Sequence, residues 1–572
     1  MPLPVLNPGG SLVAFQDTSF SIDALGRLVC NTWDEATQNG GPPFSTVVIG
    51  AGMFGAYCAA KIFRRDPTAR VLVLDAGRFL VSEHVQNLTN IGLNVASPIP
   101  PASDPGVPRE LVWGLPWRGN VEFPGLAYCT GGKSIYWGGW CPRLTDGDLA
   151  RWPSSAAQYL RDHYTDVESE TGVVPGTDFI FGPLSEVLRN ACVTAAAMTP
   201  DIESAIGDHG IQPAPLAVQG SSPVSGLFSF DKFSSLPVFL EAIRDDVNAS
   251  GGNDAARRLF LVPLAHVVKL HAASGAVHAV EVDVAGQRRL LPLASHASVV
   301  LAASGIESTR LALHSFPTPL MGRNLMVHLR SDFTIRVKRS ALPSVPGHVQ
   351  TAALLVRGLA ASGRFHVQVT ASTHARGSDE LLFRMIPDLD LLAAQLANDD
   401  PGWIGLTLRG IGEMRGDRTA AVPNATTSWV DLSPFEEDEF GVPRAFVHLK
   451  LAAPDLQTWD AMDRAIVALV QALVTTPADI QYFYDGAWQD APFPLTRPFP
   501  EWHRGIGTTH HESGTLWMGN AEASSVTTPL GRFHHLSNAY VCDQSIFPTV
   551  GSVNPVLTGL TLAGQVADHL SA

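Results

Sequence analysis

Thr46-Val47-Val48-Ile49-Gly50-Ala51-Gly52-Met53-Phe54-Gly55 sets a β-branched run directly before a turn holding three glycines. Thr46 to Ile49 reads as a buried strand, and Phe54, Cys58, Ile62 and Phe63 then recur at helical spacing until Pro67 ends the pattern. Val71 to Leu74 reads as a second buried strand. Together they predict a βαβ unit of about thirty residues, the smallest element of a parallel sheet. The glycines act differently: Gly50 makes the tight turn, Gly52 admits a pyrophosphate to the backbone, and Gly55 lets helix pack on strand. Asp75 ends the second strand 25 residues after Gly50, placed to accept from the ribose hydroxyls of an adenosine. A carboxylate there argues against the 2′-phosphate of NADP, and the pattern leaves FAD and NAD both open.

Further along the chain the same grammar returns. Val299 to Ala303 is an all-apolar strand, and Ser304-Gly305 leads into the helical pattern Ile306 to Leu313, so the sheet is assembled from distant pieces. Between Asp332 and Lys450 the period changes to two, as in Phe365-His366-Val367-Gln368-Val369, Gly405-Leu406-Thr407-Leu408-Arg409 and Ala445-Phe446-Val447-His448-Leu449. Alternation of this kind predicts an antiparallel sheet with one wet or ligand-facing side, inserted into the first domain. Ala539 to Cys542 reads as a closing strand and Pro555 to Leu570 as a closing helix. Residues 1–43 read as an extended arm, Pro98 to Pro116 as a Pro-rich connection, and no internal repeat is found.

Composition narrows the ligand. In 572 residues, 45% are apolar and 16% charged, which excludes a disordered chain. Gly 51 and Pro 42 imply many turns. The net charge of −15 repels phosphate backbones and argues against nucleic acid as a partner, leaving small molecules as the expected ligands. The first basic residue is Arg27, which is not the pattern of a secretory leader, so the expected location is the cytoplasm. The apolar run Ala465 to Val474 is too short to span a bilayer. Cysteines 30, 58, 129, 141, 192 and 542 form no C-x-x-C pair, so they are expected as buried free thiols and no metal site is predicted.

Two more segments carry chemistry. Thr130-Gly131-Gly132-Lys133-Ser134-Ile135-Tyr136-Trp137-Gly138-Gly139-Trp140 mixes glycines with bulky aromatics, as a backbone approaching a flat ligand does. Near the C-terminus stand Thr509-His510-His511-Glu512-Ser513-Gly514-Thr515 and Ser552-Val553-Asn554-Pro555. A neutral imidazole takes a hydroxyl proton as general base, and a nearby amide holds the same oxygen while hydride leaves the carbon. The plainer alternative is a pair of core histidines with Asn554 capping the closing helix, whose N-terminal dipole favours negative charge.

These stretches resemble the glucose-methanol-choline (GMC) oxidoreductase family. The likeness runs through Gly50 to Gly55 with Asp75-Ala76-Gly77, Gly131-Gly132, Ala303 to Leu313, Gly322-Arg323-Asn324-Leu325-Met326-Val327-His328, His511 to Thr515 and Asp543 to Pro555. Within the family the two C-terminal stretches look most like the pyranose-oxidase branch. That resemblance implies the general-base role for His511 and the partner role for Asn554, with His510 pointing away. It implies FAD, with its ring system between the Gly131 to Trp140 segment and the Asn554-Pro555 turn. Cofactor contacts follow at Gly50, Gly52, Met53, Phe54, Gly55, Asp75 and Ala76, and at Gly131, Gly132, Ser134, Tyr136, Trp137, Gly138, Gly139 and Trp140. The set is completed by Val268 (or its neighbour Val267), Ala303, Ser304, Asp543, Asn554 and Pro555. Tyr136 stands where that branch attaches flavin through a histidine, so non-covalent FAD is expected; Gly138 replaces a threonine.

The implied fold is α/β: a Rossmann-type FAD-binding domain with a parallel sheet, plus an inserted substrate domain with a largely antiparallel sheet. The FAD domain is expected over 44–150, 225–330 and 505–572, and the substrate domain over 151–224 and 331–504. The implied activity is oxidation of a primary or secondary alcohol, whether sugar, glycoside or small alcohol, to the carbonyl by hydride transfer to flavin N5. The electron acceptor is left open between oxygen, a quinone and a protein. Two rivals stand beside it: a non-redox lyase or decarboxylase on the same scaffold, and a flavin-binding protein without turnover. Three lesser features carry plainer expectations. His328 is expected to be structural, Phe228 to Phe233 a loop over the pocket or a surface turn, and Glu436-Glu437-Asp438-Glu439 a solvated hairpin turn.

Overall fold

The structure, a computed structural model, describes residues 29–84, 113–114, 117–121, 125–173, 180, 182–203, 210–218, 232–374, 382, 385–386, 389–398, 400–419, 422–498 and 500–572. Most of the N-terminal arm, most of the Pro-rich connection and Phe228 to Asp231 lie outside the described residues.

After a short helical turn (Trp33–Thr37) come β1 (Thr46–Ile49), α1 (Met53–Arg65) and β2 (Val71–Leu74), the βαβ unit expected from its apolar spacing. Next come α2 (Ser154–Thr171), α3 (Pro183–Met198), β3 (Ile211–Pro213), α4 (Ser235–Ala249) and β4 (Leu259–Val262). A meander follows: β5 (Ala265–Ala273), β6 (Ala276–Val284) and β7 (Gln287–Pro292). Then β8 (Ser298–Leu301) and α5 (Gly305–Ser315) lead to β9 (His328–Lys338), β10 (Thr351–Leu359), β11 (Arg364–Ser372) and β12 (Trp403–Glu413). The chain closes through β13 (Trp429–Glu437), β14 (Pro443–His448), α6 (Ala453–Gln471), β15 (Ile480–Tyr484), β16 (Ala487–Gln489), β17 (Ala539–Val541) and α7 (Val556–Leu570).

Five strands form a parallel sheet in the order β17-β8-β1-β2-β4. Their pairing runs Val47 beside Val299 and Leu72, and Leu72 beside Phe260. The strands β1, β2 and β4 are buried along their whole length, which is why they read as apolar runs without alternation. Helix α1 packs against α7, α4 and β2, which fixes it over the sheet.

The second sheet has seven antiparallel strands in the order β16-β15-β9-β12-β11-β10-β3. Period two gives it two unlike faces. Leu329, Phe333 and Ile335 of β9 and Leu406 and Leu408 of β12 share an apolar cluster with Trp459, Met462 and Ile466 of α6. The alternate positions are polar: Arg330, Asp332 and Thr334 on β9, Thr407 and Arg409 on β12, and His366, Gln368 and Thr370 on β11. The register lines them up across strands, Asp332 beside Arg409 beside Gln368, and Thr334 beside Thr407 beside Thr370. This polar face turns toward the C-terminal loops, since Arg330 donates to Thr508 O, His366 meets Ser552 O and Gln368 meets Asn554.

The acidic turn is solvated at Glu437 and Glu439 as expected and departs only at Asp438, whose side chain turns in onto Arg310 of α5, which also bonds Glu307 at 2.7 Å. All six cysteines are buried and free. Among the described residues no helix is long and apolar enough to cross a membrane, and no cluster of metal-ligating side chains occurs.

Candidate functional site

A cleft opens where β1, β2 and β8 end. Gly50, Gly52, Met53, Phe54, Asp75 and Ala76 line one side of it, and Gly132, Ala303 and Ser304 another. The turn is built by contact: a Cβ at Gly55 would lie 2.0 Å from Gly50 O, whereas one at Gly52 would meet nothing within 4 Å. Gly55 therefore serves close packing and Gly52 faces open space. Gly52 caps α1 without a side-chain hydrogen bond, so the first amide donors of the helix are available to a ligand at its positive end. The second glycine segment is drawn over the first by Gly131 N–H donating to Ala51 O at 2.8 Å.

Asp75 accepts from Ala51 N–H at 2.7 Å and from Gly77 N–H at 2.8 Å. Its carboxylate thus ties the glycine turn to the end of β2 while facing the cleft, with acceptor capacity left on both oxygens. Burial raises its pKa to about 6, against the pull of those two amides.

The remaining expected contacts divide. Ser134 is buried, donating to Gly131 O at 2.6 Å and sharing a bond with Ser234, so it shapes the turn from behind. Tyr136 directs its hydroxyl to the Cys129 thiol. Trp137 Nε1–H donates to Phe233 O at 2.6 Å, and Gly139 O receives Ala217 N–H at 2.7 Å. Trp140 turns away into a separate apolar cluster and donates to Met385 O. Val267, with Ala265 and His266, lines the cleft in place of Val268, because the bulge in β5 between Val267 and Lys269 shifts the alternation by one residue. Asp543 is buried under the turn, accepting from Ser308 Oγ and Ser545 Oγ. Gly138 and Pro555 do not line the cleft; Pro555, not Asn554, is the N-cap of α7.

His511 is brought to the polar face of the second sheet by an antiparallel bridge, Met326 N–H to Ser513 O at 3.0 Å and Ser513 N–H to Met326 O at 2.9 Å. The same bridge delivers His328, whose Nδ1 lies 2.8 Å from Nδ1 of His511, the rings meeting edge to face. His328 Nε2 lies 3.1 Å from Gly551 O. Burial pushes the His328 pKa down to about 4. His511 is held well below its ordinary range by burial and then by the charges of His328, Arg409, His510 and Lys133. Both rings are neutral at neutral pH. His510 takes a left-handed backbone conformation with φ of 58°, which turns successive imidazoles apart.

Asn554 accepts from Gln368 Nε2 at 3.0 Å, and Gln368 Nε2 also lies 3.1 Å from His366 Nε2. Nε2 of His511 and the amide NH₂ of Asn554 have no hydrogen-bond partner among the described residues. One nitrogen on each of these two side chains is thus left unpaired, while their other atoms lead through His328 to Gly551 O and through Gln368 and His366 to Ser552 O.

Sequence reasoning missed His366, Gln368 and Arg409 and assigned His328 no contact here. The signal was present in the polar half of the alternating runs, but the side of the sheet that meets the C-terminal loops is a tertiary fact. Lys133 was missed as well; it lines the cleft and donates to the buried Glu512 at 2.5 Å.

A family model described as GMC oxidoreductase matches residues 423–563. A C-glycoside 3-oxidase of Microbacterium trichothecenolyticum is 24% identical over 445 residues, covering 77% of this chain and 75% of that protein. The crystal structure of pyridoxine 4-oxidase from Mesorbium loti superposes with a TM-score of 0.56 at 16% identity, over 92% of this chain and 99% of that one. The fold and the site define a two-domain oxidoreductase built on a dinucleotide-binding sheet. The matches support a GMC oxidoreductase relationship, carried by the family model over residues 423–563. Members of that family bind FAD, and the cleft fits this group: a bare glycine at 52, uncapped helix amides and a carboxylate at its edge.

Proposed function

We propose that this protein oxidises a primary or secondary alcohol of a sugar or glycoside to the carbonyl, using non-covalently held FAD. The observation that carries the reading is that Nε2 of His511 and the amide NH₂ of Asn554 have no hydrogen-bond partner among the described residues, while their other atoms are tied through His328 and through Gln368 and His366 to the adjacent carbonyls of Gly551 and Ser552. His511 takes the hydroxyl proton at Nε2, and the amide of Asn554 donates to the same oxygen as charge develops on it. When bound, FAD supplies the acceptor for the hydride that leaves the carbinol carbon. Gly50, Gly52, Asp75 and the α1 amides would hold its dinucleotide portion.

The polyhydroxylated substrate class is favoured by the polar face of the second sheet. Gln368 stands on this face beside Arg409 and reaches Asn554, so polar side chains adjoin the proposed catalytic pair, as a sugar requires. The name of the C-glycoside oxidase relative points the same way. Tyr136, a phenol where the pyranose-oxidase branch carries its linking imidazole, supports non-covalent attachment.

The test begins with acid precipitation of the purified protein, which should leave flavin colour in the supernatant. Rapid anaerobic mixing with a panel of sugars and glycosides then identifies a reductant, and His511→Ala should slow flavin reduction by about 10² to 10⁴. Reduction of the His511→Ala variant at the wild-type rate would refute the assignment.

A further inference from the structure

Resting on that reading of the site, we infer that the polar face of the second sheet orients the catalytic pair: His328 sets the tautomer of His511, and the His366–Gln368 pair sets the amide of Asn554. The first relay starts at a backbone carbonyl. Gly551 O only accepts, so the hydrogen bond at 3.1 Å puts a proton on His328 Nε2. A neutral His328 then has a bare Nδ1, which accepts from His511 Nδ1–H at 2.8 Å. That leaves the lone pair of His511 on Nε2, the nitrogen open to a substrate. When His511 takes a proton there, His328 Nδ1 still accepts from Nδ1–H and steadies the cation.

The second relay has the same logic. Ser552 O accepts from His366 Nδ1, so His366 Nε2 is bare and must receive a proton from the NH₂ of Gln368. The other hydrogen of that NH₂ donates to Asn554 at 3.0 Å, which identifies the receiving atom as Oδ1 and turns the Asn554 NH₂ outward. Two adjacent carbonyls, Gly551 and Ser552, thus propagate opposite outcomes: an acceptor at His511 and a donor at Asn554. His328 is 1% exposed, His366 0% and Gln368 2%, so water does not offer these groups alternative partners. The charged and titratable groups facing His511 are His328, Arg409, His510 and Lys133, and a change at His328 alters the only one that accepts from its ring.

The test uses the FAD-loaded enzyme with two substitutions of opposite sign. His328→Leu removes the acceptor and should slow flavin reduction by about 10²-fold, since a wrong-tautomer base loses up to ~10⁴. His328→Asp keeps an acceptor and adds negative charge; reduction should stay within about 10-fold of wild type, with the acid limb of the pH profile moved upward. For the second relay, Gln368→Leu should slow reduction about 10-fold and add nothing to the loss in Asn554→Ala when the two are combined. Independently of any variant, ¹⁵N spectra of histidine-labelled protein, with the His511 signals identified by loss in His511→Gln, should show the proton on Nδ1 and a bare Nε2. A proton on Nε2 overturns the proposal, as do equal rates and unshifted pH profiles in His328→Leu and His328→Asp. If His511→Ala reduces flavin normally, the reading of the site itself fails; if it is slow while His328→Leu is normal, only the relay does.

Discussion

Asp75 ties the glycine turn to the end of β2 through two backbone amides, and in the proposed FAD site it is the candidate partner of the ribose hydroxyls. The carboxylate bridges Ala51 N–H and Gly77 N–H, one on each wall of the turn. Leaving a buried donor without its partner costs about 1–3 kcal/mol. Asp75→Ala should therefore lower the stability of the FAD-free protein by roughly 2 kcal/mol or more, and the protein should lose flavin on gel filtration. A variant that matches wild type in both thermal midpoint and flavin retention would show that the tether is unimportant. At this scale Asp75 lines the cleft as its position suggested, whereas the Trp140 side chain packs into a separate cluster and Val267 rather than Val268 lines the cleft. An indole or a valine carries no mark of which way it faces, and in these two the facing was set by an apolar cluster and by a bulge.

Among the elements, the opening βαβ unit was the most legible, because strand, turn and helix are each specified by neighbours within a few residues. The two glycines of its turn separate packing from binding. Gly55→Ala would drive a Cβ to 2.0 Å from Gly50 O, and α1 is hemmed in by α4 and α7, so it should destabilise the FAD-free protein by about 1–3 kcal/mol. Gly52→Ala meets no protein atom within 4 Å; thermal unfolding of the FAD-free protein should be unchanged, while FAD titration shows weaker binding. Equal effects of both substitutions on FAD-free stability would contradict this division. The strands of the second sheet were readable as alternating, but the identity of their partners was not. The acidic turn after β13 shows why: Glu437 and Glu439 face solvent, and only the packing of α5 turns Asp438 inward onto Arg310.

Across the whole molecule, the buried histidines make stability depend on pH with a definite sign. His328 and His366, pushed by burial down to about 4 and about 3, stay neutral when folded but protonate when unfolded near the ordinary value of about 6.5. The unfolded state then binds more protons, so stability is full above about pH 6.5 and falls as the pH drops through 5 toward those lower values. For His328 alone the loss by pH 4 is about 3 kcal/mol. Asp75, raised to about 6, works in the opposite direction, as do the raised carboxyls of Glu307, Glu413, Asp455 and Asp543, but against them stand His84, His314, His328, His366, His511, His534 and His535, all lowered by burial. Thermal midpoints measured from pH 7.5 to 4 should decline, and a flat profile would refute the account.

The parallel strands, the glycine turn with its carboxylate, the inserted antiparallel sheet and the family likeness were all determined by the sequence alone. Each depends on short-range periodicity or on backbone conformations that a few neighbouring residues dictate. The construction around His511 and Asn554 was decided only by tertiary structure. His328 meets His511 across 183 residues of chain, and Gln368 meets Asn554 across 186. No local pattern encodes which carbonyl ends a chain of hydrogen bonds, yet that carbonyl determines which nitrogen is left bare.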